Sequence, residues 1–137
     1  MLFCYGTLRF ADVLKALLGR IPARVPASAP GYRAASLQGR IYPGLTAWPG
    51  GSASGLVLTD LSSAEWFILD AFEDERYDLR EIALSTGELG LAYVWPGDDV
   101  RPEDWDAEDF QSQHLEAYAA RCARLAPRLA AGLPKNE

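Results

Sequence analysis

Apolar residues arrive in short bursts along this chain, and the period changes from burst to burst. Met1 to Tyr5 is a continuous apolar run that stops at Gly6-Thr7-Leu8, as a short buried strand followed by a turn would. Val13, Leu14, Leu17 and Leu18 then share one helical face, with Gly19 behind them. That spacing predicts a helix over 12–18 closed by a glycine C-cap. Pro22, Pro26 and Pro30 rule out a long helix over 20–30, which reads as irregular. Residues 31–42 read as one or two strands, and Pro43-Gly44 as a turn. The stretch Trp48-Pro49-Gly50-Gly51-Ser52 reads as a mobile rim loop, and Ser54 to Thr59 as a further strand.

The middle of the chain carries the strongest local signal. Ser62-Ser63-Ala64-Glu65 has the form of a capping box. The helix it opens would bury Trp66, Leu69 and Phe72 and end at Glu73. Leu79 to Leu84 alternates apolar and polar, as a half-buried strand does. Gly87-Glu88 marks a hairpin, and Leu89 to Trp95 returns as a strand ending at Pro96-Gly97. Asp98 to Asp104 reads as an acidic loop. Asp106 is a candidate N-cap, and Phe110, His114, Ala117, Tyr118, Cys122 and Leu125 follow at helical spacing. One long helix is therefore expected over about 106–126, stopped or kinked by Pro127. Gly132 to Glu137 is expected to fray. Several short strands with helices clustered early, in the middle and late point to an α+β fold. The 137 residues suit a single domain, residues 1–137.

Charge narrows the function. The net charge is −6, from 13 basic and 19 acidic side chains, which argues against nucleic acid as a partner. No apolar run approaches membrane-spanning length. The first residues lack a basic segment and a long apolar one, so no secretory signal is expected. Cys4 and Cys122 fit neither a metal spacing nor a disulfide framework. These points together predict a cytoplasmic protein with reduced thiols, no membrane partner, no metal and no cofactor. His114 is the sole histidine and lies on the apolar face of the last helix. A packed or capping role suits it better than activation of a nucleophile.

The chemistry then rests on a carboxylate and backbone donors. Glu73 follows an anchored aromatic at a helix-to-strand corner, where lost hydration would raise its pKa. It is also one of four acids in a turn, with Asp70, Asp74 and Glu75, and a solvated turn is the plainer reading of the local pattern. Gly6 follows a strand and precedes a helix, so nearby amides are free to hold an anion or a carbonyl oxygen. One carboxylate suffices when the substrate brings its own nucleophile, as in attack of an amine on an amide of the same molecule.

Two motifs join at this point. Tyr5-Gly6-Thr7-Leu8-Arg9 and Leu69-Asp70-Ala71-Phe72-Glu73 with Tyr77 resemble the γ-glutamylcyclotransferase-like superfamily, in its AIG2-like branch. Gly31-Tyr32-Arg33, Tyr42-Pro43-Gly44 and Gly55 to Leu58 are similar to the same branch, so the likeness spans residues 2 to about 95. The resemblance implies a small mixed β-barrel with flanking helices. It implies that Tyr5, Gly6, Thr7 and Leu8 bind a small-molecule γ-glutamyl substrate, that Tyr42 and Gly44 shape the pocket, and that Tyr77 lines it. It places Glu73 at the position of the acid–base residue in cyclisation to 5-oxoproline with release of an amine. The chain departs from the family at two points. Asp74 stands where a Gly is usual, and Arg80 follows Tyr77 by three positions rather than one or two. A non-catalytic module binding a metabolite or peptide on the same fold is the alternative.

Overall fold

β1 (Leu2–Cys4) is buried along its whole length. Its side chains alternate between two cores, as a central strand with both faces covered requires. Leu2 and Cys4 join a layer shared with the helices, while Phe3 lies with Tyr5 inside the curl of the sheet. The computed structural model describes residues 1–135. A 3-10 turn at Thr7–Arg9 and helix α1 (Ala11–Leu18) follow. Gly19 closes α1 in the left-handed region.

β2 (Arg24–Leu37) and β3 (Gly44–Leu58) form a long antiparallel ribbon. This corrects two expectations. Residues 24–30 are strand despite Pro26 and Pro30, which pair opposite Leu56 and Ser52 of β3. Four residues apart, the two prolines turn their missing N–H the same way, toward the outer edge of β2, where a strand tolerates proline. Trp48 to Ser52 is not a rim loop but a bulge within β3, at the register shift between Pro30 and Tyr32.

Helix α2 (Ser63–Phe72) carries the predicted capping box, with Ser62 at the N-cap and Glu65 returning the bond. Leu69 and Phe72 are buried and Trp66 is half-buried. β4 (Asp78–Ala83) and β5 (Leu89–Val94) form the expected hairpin. β6 (Val100–Asp104) replaces the expected acidic loop and pairs with β2. Arg33 holds it there by donating to the Arg101 carbonyl at 2.8 Å and to Asp104 Oδ1 at 3.1 Å. Its acids face solvent, as charged edge strands do. The sheet order is β4-β5-β1-β3-β2-β6, with β3 also meeting β5. The sheet curls until Ser28 of β2 reaches Ser85, where two bonds of 3.0 and 2.8 Å join them. The fold is α+β, a curled half-barrel flanked by helices.

The single helix expected near 106–126 is two. α3 (Ala107–Gln113) and α4 (Leu115–Ala130) meet at His114, which serves as the cap of both. α4 continues through Pro127, because Leu125 and Leu129 on either side are buried in the core and packing outweighs one lost backbone bond. It ends in a Schellman motif. Gly132 adopts φ +73, its amide bonds to Leu129 O at 3.1 Å, and the Leu133 amide bonds to Arg128 O at 2.9 Å. That turn sends residues 133–135 back over α2. Asn136 and Glu137, the last residues of the tail expected to fray, lie outside the described residues. Both cysteines are free and buried, and no helix among the described residues is long and apolar enough to cross a membrane.

Candidate active site

Glu73 is the C-cap of α2, and its amide bonds to Leu69 O at 3.1 Å. Extended backbone at Glu73 and a tight turn through Asp74 carry the chain into β4. The Asp74 side chain braces the turn by accepting the Arg76 amide at 2.9 Å. A helix C-terminus is the negative end of the peptide dipoles and a poor place for an anion. Here the carboxyl also lines a cavity of about 1020 Å³ bounded by β1, the Thr7–Arg9 turn, the end of α2, the first half of α4 and the segment Leu133 to Lys135.

The Glu73 carboxyl is pushed up to about 8. Burial is the main cause. The charges of Asp74 and Asp70 add to it, and Lys135 opposes it. Phenols gather round this carboxyl. Burial, and after it the charge of Glu73, hold Tyr5 and Tyr118 above their ordinary range, while Tyr93 is raised by burial, then by Asp70 and then by Glu73. Tyr77 is raised too, by burial, by Tyr5 and then by Glu73. The Tyr5 hydroxyl donates to the Tyr93 carbonyl, and the Tyr77 hydroxyl donates to the Pro43 carbonyl. Tyr93 in turn donates to Asp70 Oδ1 at 3.0 Å. Tyr5 and Tyr77 are held by backbone carbonyls and Tyr93 by a carboxylate, so the walls of the cavity are set before any ligand arrives.

Tyr5, Gly6, Thr7, Leu8, Tyr42 and Tyr77 line the same cavity as Glu73. Gly6 has a steric reason to be glycine, because an added Cβ would stand 2.9 Å from Pro43 Cγ. The first amides of a helical turn lack partners within it, which leaves the Gly6-Thr7-Leu8 segment with donors to offer. Gly44 is different. It lies outside the lining, and an added Cβ would stand 2.6 Å from Trp95 Cβ, so its role is close packing behind the wall. Tyr42 donates to Asp74 Oδ2 at 2.7 Å. Partial burial works against ionisation of Asp74, but the Arg76 amide, Tyr42 and Arg40 hold its carboxyl below the usual range. Glu73 and Asp74 are neighbours with opposite shifts. Arg80 lies on exposed β4, paired with Asp78 at 3.1 Å, away from the cavity.

Sequence reasoning missed Tyr93, Tyr118, Arg121 and Lys135 as cavity residues. Tyr118 stood among the apolar positions of the last helix, and its hydroxyl lies 3.3 Å from Thr7 Oγ1. The alternation of β5 could have set Tyr93 apart. Lys135 gave no signal, since its place depends on the turn at Gly132. Its ammonium donates to the Phe72 carbonyl at 2.7 Å and the Glu73 carbonyl at 3.0 Å. It therefore caps α2 with the charge that a helix C-terminus favours.

A carboxyl held near neutrality, beside a turn with amides to offer, makes a candidate acid–base site on a small α+β half-barrel. The family model for gamma-glutamyl cyclotransferase, AIG2-like, matches residues 2–112. AIG2-like protein D of Arabidopsis thaliana is 31% identical, over 98% of this chain and 93% of that protein. AIG2-like protein C of the same plant is 34% identical, over 85% of this chain and 72% of that one. The solution structure of At5g39720.1 from Arabidopsis thaliana superposes with a TM-score of 0.66 at 27% identity, over 87% of this chain and 85% of that one. The chain belongs to the AIG2-like gamma-glutamyl cyclotransferase family.

Proposed function

We propose that the protein cyclises a γ-glutamyl amine or γ-glutamyl amino acid to 5-oxoproline, releasing the amine, with Glu73 as the general acid–base. The observation that carries this reading is the Glu73 carboxyl, raised to about 8, in one cavity with the Tyr5-to-Leu8 segment. A base poised near the working pH is well matched to moving protons between two nitrogens.

In this reading the γ-glutamyl part lies along Tyr5, Gly6, Thr7 and Leu8, bent so that its α-nitrogen meets its own γ-carbonyl. Ionised Glu73 takes a proton from the α-ammonium and frees the lone pair. The new N–C bond forms, and backbone amides steady the oxyanion. The old C–N bond then breaks as Glu73 returns the proton to the departing nitrogen. The two protons lost by the attacking nitrogen end on the leaving amine. No water is consumed and no electrons are transferred. Tyr42 and Tyr77 form the wall that keeps the chain bent.

The test is 5-oxoproline release from a panel of γ-glutamyl amines and γ-glutamyl amino acids. Release that depends on Glu73 is expected. Undiminished release by the Glu73→Gln variant would end the assignment of that residue, and no release from any member of the panel would end the assignment of the reaction.

A further inference from the structure

We propose that Arg121 and Lys135 form a carboxylate subsite for the leaving group, so that the preferred substrates are γ-glutamyl amino acids rather than γ-glutamyl amines lacking a carboxylate. The proposal rests on the cyclotransferase reading and adds the chemistry of the departing half.

Both residues line the cavity that holds Glu73. Arg121 sits one turn beyond Tyr118 on α4, and Lys135 comes back over α2 through the turn at Gly132. Two of the three ammonium protons of Lys135 are used on the Phe72 and Glu73 carbonyls, which leaves one to offer. Arg121 makes no hydrogen bond and no ion pair among the described residues. Burial is the main cause that lowers Lys135; the charges of Glu73 and Asp74 oppose it, and the Arg121 charge, a smaller influence, adds to the lowering. Two cations beside one cavity, one of them unpaired, repel each other until an anion comes between them. In a chain of net charge −6, a general basic surface does not account for them. A guanidinium fork with an ammonium beside it suits a planar carboxylate.

Position says which carboxylate. The reacting carbonyl and the departing nitrogen must both stand beside Glu73. The glutamyl part lies along the Tyr5-to-Leu8 segment, so the substituent on the departing nitrogen extends the other way. An amino acid carries its carboxylate two bonds from that nitrogen. Lys135 bonds to the backbone carbonyl of Glu73 itself, so its ammonium stands on the Glu73 side of the cavity. The cavity of about 1020 Å³ is at the upper end of small-molecule sites, roughly 300–1,000 Å³, and a glutamyl group alone would leave much of it empty.

The experiment compares γ-glutamylalanine with γ-glutamylethylamine, which differ only in the leaving-group carboxylate. Wild-type protein is expected to favour γ-glutamylalanine in kcat/KM by about 10–100-fold, as one or two charge-assisted bonds would give, and chiefly through KM. Arg121→Gln is expected to remove most of that preference while leaving γ-glutamylethylamine turnover within about twofold of wild type. An equal loss on both substrates would overturn the proposal, since the cations would then serve the glutamyl half or the fold. Equal use of both substrates by wild type would overturn it too, while leaving the cyclotransferase reading intact.

Binding separates the two readings. Both compounds are titrated calorimetrically into Glu73→Gln and into Glu73→Gln/Arg121→Gln. A preference for γ-glutamylalanine that vanishes with Arg121 supports the subsite even if wild type turns over neither compound. Binding of neither compound, with no turnover, removes both readings together.

Discussion

The two ends of α2 each carry a glutamate, and the two behave in opposite ways. At the N-terminus, Glu65 accepts from Arg20 at 2.6 and 2.7 Å and from the Ser62 amide at 3.0 Å. The Arg20 bonds lead the causes that lower its carboxyl to about 2. At the C-terminus, Glu73 has no cation on its carboxylate oxygens among the described residues, and burial raises it to about 8. One residue type on one helix thus spans some six pH units. The difference is one of partners. Glu65 is fully satisfied and holds the helix start in place. Glu73 is kept short of partners, and that leaves it free to exchange a proton. A satisfied acid is structural and an unsatisfied one in a cavity is available for chemistry.

Exchanging each acid for its amide should break the comparison most sharply. Glu73→Gln is expected to lower 5-oxoproline release by about 10²–10⁴-fold, the range for losing a general acid–base group. Glu65→Gln should leave kcat close to wild type in the same assay. The next effect is on pH. If ionised Glu73 is the base, kcat/KM should climb about tenfold per unit on the acid side and level off near pH 8. A profile already flat at pH 6 would mean that another group supplies the base.

Lys135 sharpens the same contrast, because its charge draws Glu73 downward. Its charge opposes the burial of that carboxyl. In Lys135→Met the midpoint of the pH profile, followed with γ-glutamylethylamine, which has no leaving-group carboxylate, should move upward. A midpoint that stays in place would show that the Lys135 charge does not act on the Glu73 carboxyl.

The smallest effects are on stability, and they run in opposite directions with pH. The Glu65 carboxyl is lower in the folded chain than its ordinary 4.5. Its contribution is therefore full above that value and is lost as pH falls toward 2. Glu73 is raised, so its ionisation costs stability as pH climbs from 4.5 to about 8. Glu65→Gln should lose about 1 kcal/mol at pH 7, or roughly 4 °C in Tm, and the loss should shrink in acid. Glu73→Gln should melt above wild type at pH 9 and with it at pH 4. Thermal melts at those pH values would show both trends.

Much of this contrast could be read along the chain. Ser62 and Glu65 fix the start of α2 by a local rule that needs no tertiary context. Phe72-Glu73 at the corner, joined to the Tyr5-to-Leu8 motif, pointed to the candidate base. Other parts were hidden because their causes are long-range. Pro26 and Pro30 look like strand breakers until the outer edge of β2 is known. The acids of 98–104 read as loop because the Arg33 that anchors β6 is distant in sequence. Lys135 reaches α2 only through the turn at Gly132, which no periodicity records. Gly44 looked like a wall residue in a turn motif, but its neighbour is Trp95.

The prolines of β2 have a consequence beyond topology. A ribbon of 14- and 15-residue strands with a bare margin would invite a second molecule to add its own strand and start a fibril. Along 26–30 that margin has little to offer. Pro26 and Pro30 carry no donor, and the Ser28 amide between them is already spent on Ser85. The residues that make this segment hard to recognise as a strand also keep it from templating aggregation.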